Sequence, residues 1–103
     1  MDIELLVAPG CPNAQGASDR LRQVLDDMGL NDVTFARRVI TDQAEAESAG
    51  FTGSPTFLIN GRDPFTEPGR TPRLACRMYR IPDGLVGAPA ADQLRTALTR
   101  TLL

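Results

Sequence analysis

The sequence predicts an α/β protein with the element order β-α-β-α-β-β-α. Short apolar runs alternate with longer segments whose apolar residues recur at helical spacing. Glycine and Asn-Gly punctuation separates them. An apolar run gives way to a helical pattern at Ala8-Pro9-Gly10-Cys11-Pro12-Asn13-Ala14, as at the strand-to-helix junctions of alternating folds.

Ile3-Glu4-Leu5-Leu6-Val7 is short, bounded and mostly apolar, the pattern of an interior strand in a partly parallel sheet. From Asn13 onward, Ala14, Ala17, Leu21, Val24, Leu25 and Met28 mark one helical face; Gly29 supplies the stop and Leu30 the accompanying apolar contact. Val33-Thr34-Phe35-Ala36 and Val39-Ile40 predict a second strand with charged edges at Arg37 and Arg38. Thr41-Asp42-Gln43-Ala44-Glu45 reads as the capped start of a short helix that Gly50 ends. Thr56-Phe57-Leu58-Ile59 predicts a third strand and Asn60-Gly61 a turn, while the Pro-, Gly- and charge-rich stretch 62–72 reads as a surface excursion. Leu74 to Tyr79 is the expected fourth strand, with Leu74, Cys76 and Met78 on its apolar face and Ala75, Arg77 and Tyr79 on the other. Pro89 to Leu102 closes the chain as a helix with Leu94, Ala97, Leu98 and Leu102 on one side.

A chain of 103 residues supports one domain with one core. No leading basic segment precedes an apolar stretch, and no apolar run approaches the roughly 18 residues of a membrane span. With only two cysteines, these features predict a soluble cytoplasmic protein without a membrane partner. The absence of histidine removes a Cys-His catalytic pair and leaves no ordinary zinc ligand set, so no metal or other cofactor is expected. All eleven cations are arginine, and residues 62–80 hold five of them against two acids. That stretch reads either as a solvated surface or as a seat for a carboxylate or phosphate, with Arg73 and Arg77 the candidates to hold an anionic cosubstrate. A slightly acidic chain with few aromatics argues against a nucleic-acid partner.

Cys11 is the candidate catalytic residue. A thiolate at a helix entrance is stabilised by unpartnered N–H groups and the macrodipole, and Pro12 suits the first helical position. Asn13 and nearby amides are candidates to solvate the thiolate and contact substrate. Position 14, where a dithiol motif would place its second cysteine, is alanine. Cys76 is then either a small buried hydrophobe or the resolving thiol.

The segment Gly50-Phe51-Thr52-Gly53-Ser54-Pro55-Thr56-Phe57-Leu58-Ile59-Asn60-Gly61 resembles the thioredoxin segment in which a helix ends and a cis-proline opens the next strand. Leu85-Val86-Gly87-Ala88 followed by Gln93-Leu94 is similar to that family's approach to its last helix. The resemblance covers most of the chain, with residues 62–73 unmatched. It implies a central mixed four-stranded sheet flanked by helices, and a cis Pro55 beside Cys11. Ser54 would offer its backbone to an extended substrate. The activity implied is thiol-disulfide exchange through Cys11 as a monothiol oxidoreductase, with a protein or small-molecule thiol or disulfide as partner and an external thiol or Cys76 resolving. Ala14 supports an alternative, a redox-inactive module that binds a peptide or partner along the Ser54-Pro55 edge.

Overall fold

The structure is a computed structural model that describes residues 1–102. Its elements are β1 (Ile3–Val7), α1 (Ala14–Asp27), β2 (Ala36–Val39), α2 (Gln43–Ala49), β3 (Thr56–Ile59), β4 (Tyr79–Ile81), β5 (Gly84–Val86) and α3 (Ala91–Leu102). The molecule is a small α/β protein with three helices and a mixed sheet. β1 lies at the sheet's centre, parallel to β2 and antiparallel to β3. Flanked on both edges, it buries Ile3, Leu5, Leu6 and Val7, as its apolar run requires.

Alternation along β1 divides the core between two faces. Ile3, Leu5 and Val7 join Leu21, Val24 and Leu25 of α1, Phe57 and Ile59 of β3, and Leu94 and Leu98 of α3. Leu6 points the other way, into a smaller cluster with Ile40, Ala46 of α2 and Phe51. Helices thus cover both faces, α1 and α3 on one and α2 on the other. The expected place of the Leu102 side chain on the α3 face lies outside the described residues. No helix among the described residues is long and apolar enough to cross a membrane.

Both predicted helix stops form as left-handed glycine caps. Gly29 has φ +76°, and the Leu30 N–H donates to Leu25 O at 2.8 Å. Gly50 has φ +69°, and the Phe51 N–H donates to Ala46 O at 2.9 Å. At the start of α2, Asp42 accepts from the Glu45 N–H at 2.8 Å, while Glu45 Oε1 accepts from the Thr41 N–H at 2.8 Å.

Three expectations need correction. The second strand begins at Ala36 rather than Val33, because the Arg22 guanidinium donates to Leu30 O and Val33 O and holds residues 30–33 in a turn. No four-stranded sheet forms among the described residues: the sheet has three strands, and β4 and β5 make a separate antiparallel hairpin. The Asn60-Gly61 turn does form, with Ile59 and Arg62 exchanging backbone hydrogen bonds at 2.8 and 3.1 Å. The chain then leaves the sheet, because prolines at 64, 68 and 72 lack the N–H that a continuing ladder needs. Finally, the fourth strand begins at Tyr79, not Leu74, and the exposure along residues 74–79 alternates the opposite way from that expected. Leu74, Cys76 and Met78 are exposed, whereas Arg77 and Tyr79 are buried.

Candidate functional site

Cys11 is half-buried just beyond the carboxyl end of β1, against the larger core cluster. Its N–H donates to Ala8 O at 3.2 Å, and its carbonyl accepts from the Ala14 N–H at 3.2 Å. These bonds close a tight turn that Gly10 enters with φ +69°. The helix opens at Ala14 with Asn13 as N-cap, so exposed Pro12 precedes the helix instead of occupying its first position. Asn13 makes no side-chain capping bond. Its carboxamide lies over Gly87, where an added Cβ would come within 2.6 Å of Asn13 Cγ. A cleft of about 520 Å³ beside this turn is lined by Pro12, Asn13, Arg20, Val86 and Gly87, among others.

Ser54 connects this turn to the rest of the site. It is fully buried, and the Ser54-Pro55 peptide is cis, as the resemblance implies. Its Oγ accepts from the Ala8 N–H at 2.9 Å, its own N–H donates to Ala75 O at 2.7 Å, and its carbonyl accepts from the Arg77 N–H at 3.0 Å. Residues 75–77 therefore run parallel to this segment, with Cys76 as the bridge partner of Ser54. The expectation that Ser54 presents free backbone groups is corrected: the chain's own excursion takes both. Ala8, which donates to Ser54, also accepts from the Cys11 N–H, so one hydrogen-bond relay joins the Cys11 turn to the residues on either side of Cys76.

Cys76 is exposed, which overturns its reading as a small core hydrophobe. Arg77, expected as an anion ligand, is only 1% exposed; both its terminal nitrogens bond within the chain, and its buried Nε has no partner among the described residues. Its guanidinium donates to Asp63 Oδ2 at 2.7 Å, Phe65 O at 2.7 Å and Thr56 Oγ1 at 3.3 Å, and lies 4.6 Å from the centre of the Tyr79 ring. Burial wins because the excursion's own carboxylate folds back onto Arg77 in a bidentate arrangement. Gly53 makes room for this strand: at φ +129°, its hypothetical Cβ would lie 2.8 Å from Arg77 Cβ. Arg73 is exposed, and its backbone N–H donates to Phe51 O at 3.0 Å.

The resemblance implied Ser54 and a cis Pro55 beside Cys11 and left Cys76 open, and sequence reasoning missed Asp63, Thr56 and Tyr79 as the groups that seat the excursion. An isolated acid beside Pro64-Phe65 at the head of an arginine-rich stretch was the available signal for Asp63. The Tyr79 hydroxyl donates to Pro55 O, and burial pushes its phenol well above the usual value, with Arg77 opposing and Asp63 adding to the shift. Among the described residues, no group of three or more His, Cys, Asp or Glu side chains is placed to hold a metal. No protein-family model, curated protein or solved structure matches the chain.

Proposed function

We propose that this is a thioredoxin-like thiol-disulfide oxidoreductase in which Cys11 attacks and Cys76 resolves. The observation that carries the reading is the Ser54 relay. Ser54 holds Ala8 at the entrance of the Cys11 turn and holds Ala75 and Arg77 on either side of Cys76. Partners in a parallel bridge project to the same face, so Cys76 shares a face with the Ser54 side chain, whose hydroxyl accepts from Ala8. The half-buried placement of Cys11, the cis Pro55 and the strand-helix junction support the same reading.

In this mechanism the Cys11 thiolate attacks one sulfur of a protein or small-molecule disulfide, and the other sulfur leaves as a thiolate. The Cys76 thiolate then attacks the Cys11 sulfur and expels the second substrate thiolate. The substrate disulfide gains two electrons, and the chain loses two in forming Cys11–Cys76. An external dithiol, or two monothiols, restores the reduced chain. A redox-inactive module reading an extended partner along the Ser54-Pro55 edge would first have to displace residues 75–77, which already occupy both backbone groups of Ser54.

Treatment with a small aromatic disulfide, followed by mass mapping, tests the assignment. The expected wild-type product has lost both free thiols, bears no adduct and contains a Cys11–Cys76 crosslink. Cys76→Ser is expected to stop at a stable adduct on Cys11, and Cys11→Ser to form no crosslink. A wild-type protein that stops at a single Cys11 adduct would remove Cys76 from the mechanism. One left with Cys11 unmodified would remove the chemistry altogether.

A further inference from the structure

Residues 75–77 join Ser54 as an added strand would, and in doing so they carry the open edge outward. Backbone groups of alternate residues in an extended segment point to opposite sides. Ala75 O and the Arg77 N–H face Ser54, so the N–H and carbonyl of Cys76 face away from it, and neither has a hydrogen-bond partner among the described residues. The same holds for Leu74. Farther along, Met78 O and Arg80 O accept from Arg70 Nη2 and Gln93 Nε2, which closes the row.

Unpaired backbone of this kind is a template for another strand, and proteins commonly guard it with charged side chains. Here the exposed side chains beside it are apolar. Leu74 and Met78 flank Cys76 on its own face, and Leu85 lies across the β4–β5 hairpin from Arg80, the next outward residue in the alternation. Directly paired residues share a face, so three of the five large apolar side chains exposed among the described residues gather here, each 39–55% exposed. Charge at the two ends selects the partner. Arg73 precedes Leu74 and has no ion pair among the described residues, while the largely exposed Arg80 meets Glu67 at 3.7 Å. The two acids of residues 62–80 are both engaged, Asp63 with Arg77 and Glu67 with Arg70 and Arg80. An apolar middle with excess positive charge at both ends is complementary to a chain segment of the opposite pattern.

We propose that residues 74–78 are a docking edge for an extended segment of another polypeptide, apolar in its middle and acidic at its ends, which pairs with the Cys76 N–H and carbonyl as an added strand. The site goes beyond the thiol chemistry and does not depend on it.

A sulfur-free heptapeptide, with valine and threonine alternating between terminal glutamates, tests the edge by NMR titration into the reduced full chain. The Cys76 amide is expected to shift saturably and to gain protection from hydrogen exchange, and the affinity is expected to fall with added salt. N-methylation of the peptide's central residues removes its main-chain donors and should weaken binding by about fivefold for each hydrogen bond lost. Met78→Ser and Arg73→Glu alter exposed side chains, so both variants should unfold at the wild-type denaturant midpoint while binding the peptide at least about fivefold more weakly. Four results would each overturn the assignment: a Cys76 amide that the peptide leaves unmoved, an N-methylated peptide that binds as tightly as its parent, equal affinity in wild type and both variants, or a Cys76 amide that shifts with protein concentration alone, as pairing between two copies of the chain would require.

Discussion

Tyr79 is the only tyrosine in the chain, and its surroundings make it a reporter of the whole site. Its ring packs edge-on against Phe57 and Phe65, with centroids 6.4 and 5.4 Å away, and its hydroxyl donates to Pro55 O. Burial raises the phenol's pKa in the folded state above its unfolded value near 10. The folded protein therefore keeps a proton that the unfolded chain releases. This contribution is fully present below about pH 10 and is lost as pH rises toward the folded value. The chain has no lysine or histidine, so above pH 10 nothing else of its kind titrates before arginine. Unfolding free energy is accordingly expected to fall above pH 10 by about 1.4 kcal/mol per pH unit. Tyr79→Phe should flatten that slope, and should lower stability at neutral pH by about 1–3 kcal/mol by leaving Pro55 O unpaired. Denaturant melts across this pH range, read beside tyrosinate absorbance, check both expectations. Equal slopes in wild type and variant would contradict the account.

At the scale of elements, α2 shows how local chemistry supports a short helix. Seven residues are too few to be stable alone, and only Ala46 is fully buried. The helix depends on its ends, where Asp42 and Glu45 satisfy backbone donors and Gly50 turns the chain so that Phe51 enters the smaller core. Asp42→Ala is expected to reduce stability by about 1 kcal/mol, and Asp42→Asn by much less, because asparagine is an equally good N-cap. Chemical denaturation of the three proteins measures the difference. Such ends were legible in the sequence because capping residues and left-handed glycines act over three or four residues. β1 and the apolar faces of α1 and α3 were legible for the same reason. The second strand was misplaced because its start is set by Arg22, which reaches across from α1. Residues 74–79 were turned the wrong way because hydropathy favours burying Leu74 and Met78, whereas the ion pair with Asp63 and the aromatic cluster draw Arg77 and Tyr79 inward. The β4–β5 hairpin had a local signal in Pro82-Asp83-Gly84, just beyond the end of the expected fourth strand. Of the candidate site, Cys11 and the cis-proline segment could be found by motif, and Cys76 only as the chain's other cysteine. The pairing of Ser54 with Cys76 could not, because 22 positions separate them and only the folded excursion joins them.

At the scale of the whole molecule, a compact α/β body supports an irregular segment with no helix or strand between Ile59 and Tyr79. Arg77 is the centre of the attachment, linking Asp63 and Phe65 of the excursion to Thr56 of β3 from a position that is 1% exposed. Such a pair adds little beyond a well-packed apolar substitute, because desolvating two charges offsets most of their attraction. Breaking it from one side is different, since the surviving charge is left buried; Asp63 has only 10% of its side chain exposed. Arg77→Ala and Asp63→Ala are each expected to lose about 3–5 kcal/mol, a large part of the roughly 5–15 kcal/mol that holds a domain folded. The double variant should lose well under the sum, because removing the second partner relieves the first variant's stranded charge. A coupling of about 2 kcal/mol or more in a double-mutant cycle, measured by urea melts with unchanged m-values, is the expected result. Additivity within about 0.5 kcal/mol would mean that Asp63 and Arg77 act independently, and that the excursion is held by its backbone bonds to Phe51 and Ser54 instead.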